Sequence, residues 1–231
     1  MRTLVTPLIC ALWAATAHAH EPDLDARVRA YILDNPEVIL EALEILSARR
    51  AEAELKERLE PHQPMFDAPP VLGMGRADAP IRVVEFFDYR CAPCKAMHPM
   101  LETLVAEHPE LRIEMRQLPI LTPGSERGAR FALAVQSVAG DAAYARVHDA
   151  LWHLRGPLNT PSFARIAQDE GLDFSKIQTA MDSEDVTARI GYNRDFAVEM
   201  QVLGTPAFVT PSSVTFGTAT LDELKALWLS Q

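Results

Sequence analysis

"EFFDYRCAPCKAMHP", residues 85–99, joins a β-branched and aromatic run to a segment of helical composition, with two cysteines at the seam. Taken with the residues before it, "IRVVEFFDY" reads as a buried strand, and the segment from Cys91 to about His108 has helical spacing. A helix that opens at Cys91 places its sulfur beside unpaired backbone N–H groups and the positive end of the macrodipole. That position favours thiolate. Free cysteine titrates near ~8.5, and each unit of depression is worth roughly 1.4 kcal/mol toward the charged form, so one or two units leave Cys91 largely ionised at neutral pH. Cys94 lies one turn later, within disulfide reach on the less accessible side, and stays protonated until it displaces whatever Cys91 has captured.

That displacement needs a proton acceptor. Glu85, on the strand before Cys91, suits the task if burial raises its pKa; the alternative is a solvent-facing carboxylate at a strand end. Asp88 competes, nearer in sequence but expected in the loop. Pro99 either kinks the helix or ends it. Lys95 adds a charge near the reactive surface, and His98 is expected on a solvent-facing helical position.

Working outward, "LRIEMRQLPIL" is a second strand candidate, and from Gly124 to about Val202 the pattern turns helical almost throughout. Strand signal returns at "PAFVT" and "SVTFG", before a closing helix "TLDELKALWLS". Thr205-Pro206 precedes the first of these, and X-Pro bonds are where the cis form is cheap; an ordinary trans turn is the alternative. Toward the amino terminus, "EPHQPMFDAPPVLGMG", residues 60–75, is proline- and glycine-rich without periodicity and is expected to be a linker. Before it, residues 20–60 form an arm of two predicted helices broken at Asn35-Pro36. On the second, Ile39, Leu43, Leu46 and Ala53 follow an a/d spacing interrupted by Arg50, and Val38, Leu40 and Ile45 widen the apolar face beyond what a free helix should expose.

The 231 residues are 48% hydrophobic, enough for a folded core, and the net charge of −10 disfavours nucleic acid and anionic lipid as partners. Residues 1–19 read as a signal peptide: a positive start, the apolar "LVTPLICALWAATA", and the small-x-small site Ala17-His18-Ala19. The mature chain would then begin at His20 in an exported, oxidising compartment. Of three cysteines, Cys10 leaves with the signal, and the remaining pair closes too short a loop to stabilise the chain. Its purpose is chemistry.

The ordered set "VVEFFDYRCAPCKAMHP", "RQLPIL", the helical block and "GTPAFV" resembles the DsbA family of thioredoxin-fold thiol-disulfide oxidoreductases over about residues 70–229. The resemblance implies an α/β chain: a thioredoxin domain over 76–231 with a helical subdomain inserted at about 124–202, an N-terminal helical arm, and a linker over 61–75. It further implies Cys91 as nucleophile, Cys94 as resolving thiol, Glu85 as the buried acid, and a cis peptide before Pro206, with Thr205 offering backbone to an extended client. Clients would be exported proteins with cysteines, serviced by a membrane thiol oxidase or reductant, with no dissociable cofactor and no metal. Ala92-Pro93 lacks the histidine of strongly oxidising relatives, so a less oxidising couple is expected, with oxidase and isomerase roles both open. "VTPSSVTFGTATLDELK" lacks the family's glycine-rich turn and its proline, leaving the last strand's register open.

The arm, with "DNPEVILEALE", resembles ScsC-like proteins whose helical extension assembles the chain into an oligomer; packing of the arm on its own domain is the alternative. Two other classes remain beside the enzyme. Cys91, Cys94 and His98 could share a helix face and bind a soft ion such as Cu(I), as in a copper-tolerance protein. A redox-responsive holdase would use the arm and the surface around Pro206 to bind unfolded clients.

Overall fold

The structure, a computed structural model, describes residues 24–67 and 72–229. The expected signal segment, with Cys10 and the cleavage site, lies outside the described residues. Helices α1 (Leu24–Asp34) and α2 (Glu37–Leu59) meet at Asn35-Pro36, where the Asn35 side chain donates to Tyr31 O at 2.9 Å and proline opens the second helix. The chain divides into compact units after Arg50, within α2, so the domain boundary falls earlier than position 60.

The first unit is helical and carries exposed apolar side chains. α1 buries none of its residues, and Leu40, Leu43, Ile45 and Leu46 of α2 are all exposed.

The second unit holds a five-stranded sheet in the order β1-β3-β2-β4-β5, built from β1 (Gly73–Met74), β2 (Ile81–Phe87), β3 (Leu111–Gln117), β4 (Ala207–Val209) and β5 (Val214–Phe216). β2 and β3 run parallel, joined by α4 (Ala92–Glu107); the other pairings are antiparallel. Central β2 is buried on both faces, which is why it reads as a nearly unbroken apolar run. The block between β3 and β4 is α5 (Pro123–His153), α6 (Thr160–Asp169), α7 (Phe174–Met181) and α8 (Glu184–Glu199), and α9 (Leu221–Leu229) closes the chain. Each inserted helix opens on a side-chain cap, from Thr122, Asn159, Asp173 and Ser183 respectively. α5 kinks at Gly140, whose φ of 80° only glycine adopts without strain.

Alternation along β2 sorts the core. Val83 packs with Met97, Leu101 and Leu104 of α4 and with Trp228 of α9. Phe87, on the same face, joins Cys91, Cys94 and the α5 residues Tyr144 and Trp152. Val84 and Phe86 turn to the other face, against Phe196 of α8 and against Leu59 and Phe66.

Those last two residues correct the linker expected over 61–75. Glu60–His62 is a 3-10 turn and Gln63–Asp67 a short helix, α3. Leu59 and Phe66 are buried, His62 pairs with Glu199, Arg82 donates to Phe66 O, and Gln63 donates to Pro211 O at 3.1 Å. Proline in a first helical turn gives up an N–H that has no partner there, so Pro61 and Pro64 start turns instead of breaking structure. β1, also unforeseen, is too short for a periodic signal. It exists because Gly73 lets the backbone close on β3; a Cβ there would stand 2.1 Å from Ile113 O.

The final hairpin also takes a definite register, Ala207 opposite Phe216 and Val209 opposite Val214. Thr210 stands in for the missing glycine turn: its hydroxyl accepts from Ser212 and Ser213 N–H at 3.2 and 2.9 Å.

Candidate active site

Cys91 is the N-cap of α4. Its backbone is extended (φ −74°, ψ 109°), its N–H donates to Asp88 O at 2.9 Å, and its sulfur accepts the Cys94 N–H at 3.1 Å. The sulfur therefore takes the place of a serine or aspartate cap, where backbone donors and the helix dipole favour negative charge. Cys91 and Cys94 are bonded as a disulfide with their Cα atoms 5.2 Å apart. Both are enclosed, Cys91 2% and Cys94 0% exposed, so they differ in access by less than expected. The Thr205 carbonyl lies 3.3 Å from the Cys91 sulfur, and the Thr205-Pro206 bond is cis.

Asp88 is an architectural residue. One carboxylate oxygen accepts the Arg90 N–H at 2.7 Å; the other accepts Ile120 and Leu121 N–H, both at 3.1 Å, so it ties the loop after β2 to the loop after β3. Lys95 spans from α4 to Leu154 O at 3.1 Å, and Arg90 to Gly156 O at 3.3 Å. These tethers fix the mouth of α4 against the end of α5. Pro99 lies inside α4, which continues to Glu107 and so does not end there.

Glu85 is fully buried, on the α4 and α5 face of β2 with Val83 and Phe87 as its same-face neighbours. Neither carboxyl oxygen has a hydrogen-bond partner among the described residues. Loss of hydration with nothing to replace it disfavours the anion and pushes the pKa up to about 8. A carboxyl in that range holds a proton at neutrality yet can release it, as an acid-base group must.

His98 corrects the expectation of a solvent-facing residue. It is buried, 5.0 Å from the Trp152 ring and 5.5 Å from the His148 ring, centroid to centroid. Burial lowers its pKa against the opposing charges of Glu102 and Asp149. Turned toward α5, it is committed to aromatic packing. No group of three or more His, Cys, Asp or Glu able to hold a metal occurs among the described residues.

Around Phe87, whose ring meets those of Tyr89, His148 and Trp152, runs a polar chain that sequence reasoning did not isolate. Trp152 Nε1 donates to His148 Nε2 at 2.6 Å, and because indole only donates, the His148 proton sits on Nδ1, donated to Tyr89 Oη at 2.7 Å. Gln117 Nε2 donates to Tyr144 Oη at 3.0 Å. Burial keeps His148 neutral, its pKa well below the usual value, and both tyrosines protonated. The available signal was "YARVHDALW", which sets Tyr144, His148 and Trp152 four residues apart on one helix face.

Residues 82–227 match the DSBA-like thioredoxin domain, and residues 22–53 match the N-terminal domain of the copper resistance protein ScsC. The chain belongs to the DsbA-like thioredoxin family. A thioredoxin-like oxidoreductase from Silicibacter pomeroyi DSS-3 is similar to this DsbA-like chain at 33% identity and TM-score 0.64, over 70% of this chain and 91% of that one. The thiol:disulfide interchange protein DsbA of Bordetella pertussis is 27% identical over 130 residues, 55% of this chain and 62% of that protein. The Na(+)/H(+) antiporter NhaA 3 of Salinispora tropica is 28% identical over 156 residues, 68% of this chain and 24% of that protein. The DsbA-like chain thus spans about a quarter of that antiporter and under two thirds of that DsbA. No helix among the described residues is long and apolar enough to cross a membrane.

Proposed function

We propose that this DsbA-like chain is a periplasmic protein thiol-disulfide oxidoreductase that exchanges disulfides with exported client proteins through Cys91. The observation that carries the reading is the Cys91 sulfur serving as the cap of α4, 3.3 Å from the Thr205 carbonyl at the cis-proline loop. A client thiolate attacks the Cys91 sulfur of the disulfide; Cys94 leaves with the electron pair and takes a proton from Glu85, and a mixed disulfide forms. A second client thiolate then displaces Cys91, and the client has lost two electrons to the pair. In the reverse sense Glu85 accepts the Cys94 proton, Cys94 displaces the client from Cys91, and the client cystine is reduced. Thr205 and Pro206 flank the sulfur on the side from which an extended client chain would pair with backbone.

The exposed apolar face of residues 24–50 supports assembly with other copies of this chain, which would set several Cys91 sites around shared space and favour reshuffling of wrong disulfides. A membrane thiol oxidase or reductant would renew the pair. The test is refolding of scrambled ribonuclease and reduction of insulin. Cys91→Ser is expected to abolish both, and a Cys91→Ser protein working at the parental rate would end the reading.

A further inference from the structure

The mouth of the site is built from cations that no carboxylate answers. Arg90 stands one residue before the reactive sulfur, and Lys95 about one helical turn after it along α4. Both reach into one loop: Arg90 Nη1 donates to Gly156 O at 3.3 Å and Lys95 Nζ to Leu154 O at 3.1 Å. From the start of α5, Arg127 Nε donates to Leu158 O at 3.2 Å, and Arg155, in the middle of the loop, is exposed. Leu158 seats that loop beside the site. It is buried in the cluster that holds Tyr89, Cys91 and Cys94, and it packs on Gly128 of α5, where a Cβ would stand 2.9 Å from its Cδ1.

These contacts leave the charges uncompensated. A carbonyl accepts a hydrogen bond but carries no net charge, and among the described residues none of Arg90, Lys95, Arg127 and Arg155 pairs with a carboxylate. Elsewhere in the body arginine finds one: Arg76 pairs with Asp78, Arg130 and Arg194 with Glu126, and Arg146 with Glu170. The acids nearest the collar in sequence are spent, Asp88 on the N–H groups of Arg90, Ile120 and Leu121, Glu126 on its two arginines, and Asp149 on His153. In a chain of net charge −10 this patch is a local exception. Burial and then the charge of Arg90 lower the Lys95 pKa, so the guanidinium groups are the constant part of its charge.

We propose that this collar of Arg90, Lys95, Arg127 and Arg155 selects clients, favouring extended segments that carry aspartate or glutamate beside the reacting cysteine. That selection rests on the reading of Cys91 as the exchanging sulfur. As the client thiolate attacks Cys91, and Cys94 leaves with the electron pair and the Glu85 proton, a client carboxylate within reach of the collar gains charge-assisted hydrogen bonds. A neutral flank gains none, and a lysine flank is repelled. At ~0.15 M salt the screening length is about 8 Å, so charges elsewhere on the acidic chain are hidden while the collar is felt.

The experiment measures second-order rate constants for oxidation of dithiol peptides by the disulfide form of the chain, the peptides being identical except for aspartate, serine or lysine beside each cysteine. Each rate is divided by that peptide's rate with a small neutral disulfide, which removes the effect of the flanking charge on the peptide's own thiols. At ~0.15 M salt the aspartate peptide is expected to exceed the serine peptide about fivefold and the lysine peptide about twentyfold, with both ratios falling to about twofold at ~1 M salt. Arg155→Glu and Arg127→Gln, at exposed positions, are each expected to lower the aspartate-to-serine ratio to about twofold or less. Arg76→Glu, a charge change before β2 at the end of that strand away from Cys91, is expected to leave the ratio as in the parent. A preference that survives ~1 M salt, that both collar variants keep while folded, or that Arg76→Glu loses as readily, overturns the collar. Failure of the disulfide form to oxidise any of the peptides removes the reading of Cys91 itself, whereas oxidation of all of them at equal normalised rates removes the collar alone.

Discussion

Residues 24–50 and residues 51–229 obey opposite packing rules. The second unit gathers most of its apolar side chains into three clusters around one sheet, whereas the first leaves Leu24, Val28, Leu40, Leu43 and Ile45 in solvent along two helices. Helices of that length have little intrinsic stability without a partner for the apolar face. The difference matches a division of labour: covalent chemistry needs side chains over-determined by packing, and the assembly proposed for the arm needs a surface left open.

The largest effect that would sharpen the contrast lies at the cysteines. Cys94→Ser is expected to convert transient mixed disulfides into adducts stable on a non-reducing gel, a change of orders of magnitude in lifetime, with no change in the arm. Absence of adducts would break the assignment of roles within the pair.

Next comes the cost of burying Glu85. Its folded pKa is raised to about 8 from an ordinary 4.5, so the native state holds a proton that the unfolded chain has released. Raising the pH across that window favours unfolding, by up to about 5 kcal/mol once both states have ionised. Glu85→Gln removes this slope: urea midpoints of parent and variant should draw apart between about pH 5 and about pH 8, the variant being the more stable at the alkaline end. A constant gap over that range would contradict the burial of the carboxyl.

The boundary itself can be tested by two changes close in sequence. Leu59, 1% exposed, belongs to the catalytic core, so Leu59→Ala should cost about 2–5 kcal/mol by urea denaturation. Leu43, 55% exposed in the first unit, should tolerate Leu43→Ala within about 0.5 kcal/mol in the same measurement on the body, while sedimentation reports any lost assembly. The smallest change is removal of residues 1–50. It is expected to leave thiol oxidation and the melting temperature of the body nearly as they were, whereas a cut after residue 60 would remove Leu59 and lower the melting temperature. Equal behaviour of the two truncations would break the division at Arg50.

Much of this was legible in the chain because it depends on neighbours in sequence. The strand-to-helix seam at Cys91, the break at Asn35-Pro36 and the apolar stripe of α2 follow from residue type, spacing and the needs of a helix end. Local rules misjudged residues 60–75 because composition does not reveal long-range partners: Pro61 and Pro64 looked like breakers, while Leu59 and Phe66 had a core waiting on the far side of β2. His98 went astray for the same reason, since the rings of Trp152 and His148 that enclose it come from fifty or more positions away.

The sequence by itself therefore determined where a reactive sulfur would sit and which of the longer segments would be helix or strand, because hydrogen bonds within a turn and the alternation of side chains are short-range. Only the tertiary structure decided that Glu85 is dry, that Asp88 is a loop clamp, that Thr205 meets the sulfur, and that His98 is enclosed by the rings of Trp152 and His148. Dehydration and charge interaction depend on what surrounds a group in space, and those surroundings are assembled from strands and helices far apart along the chain.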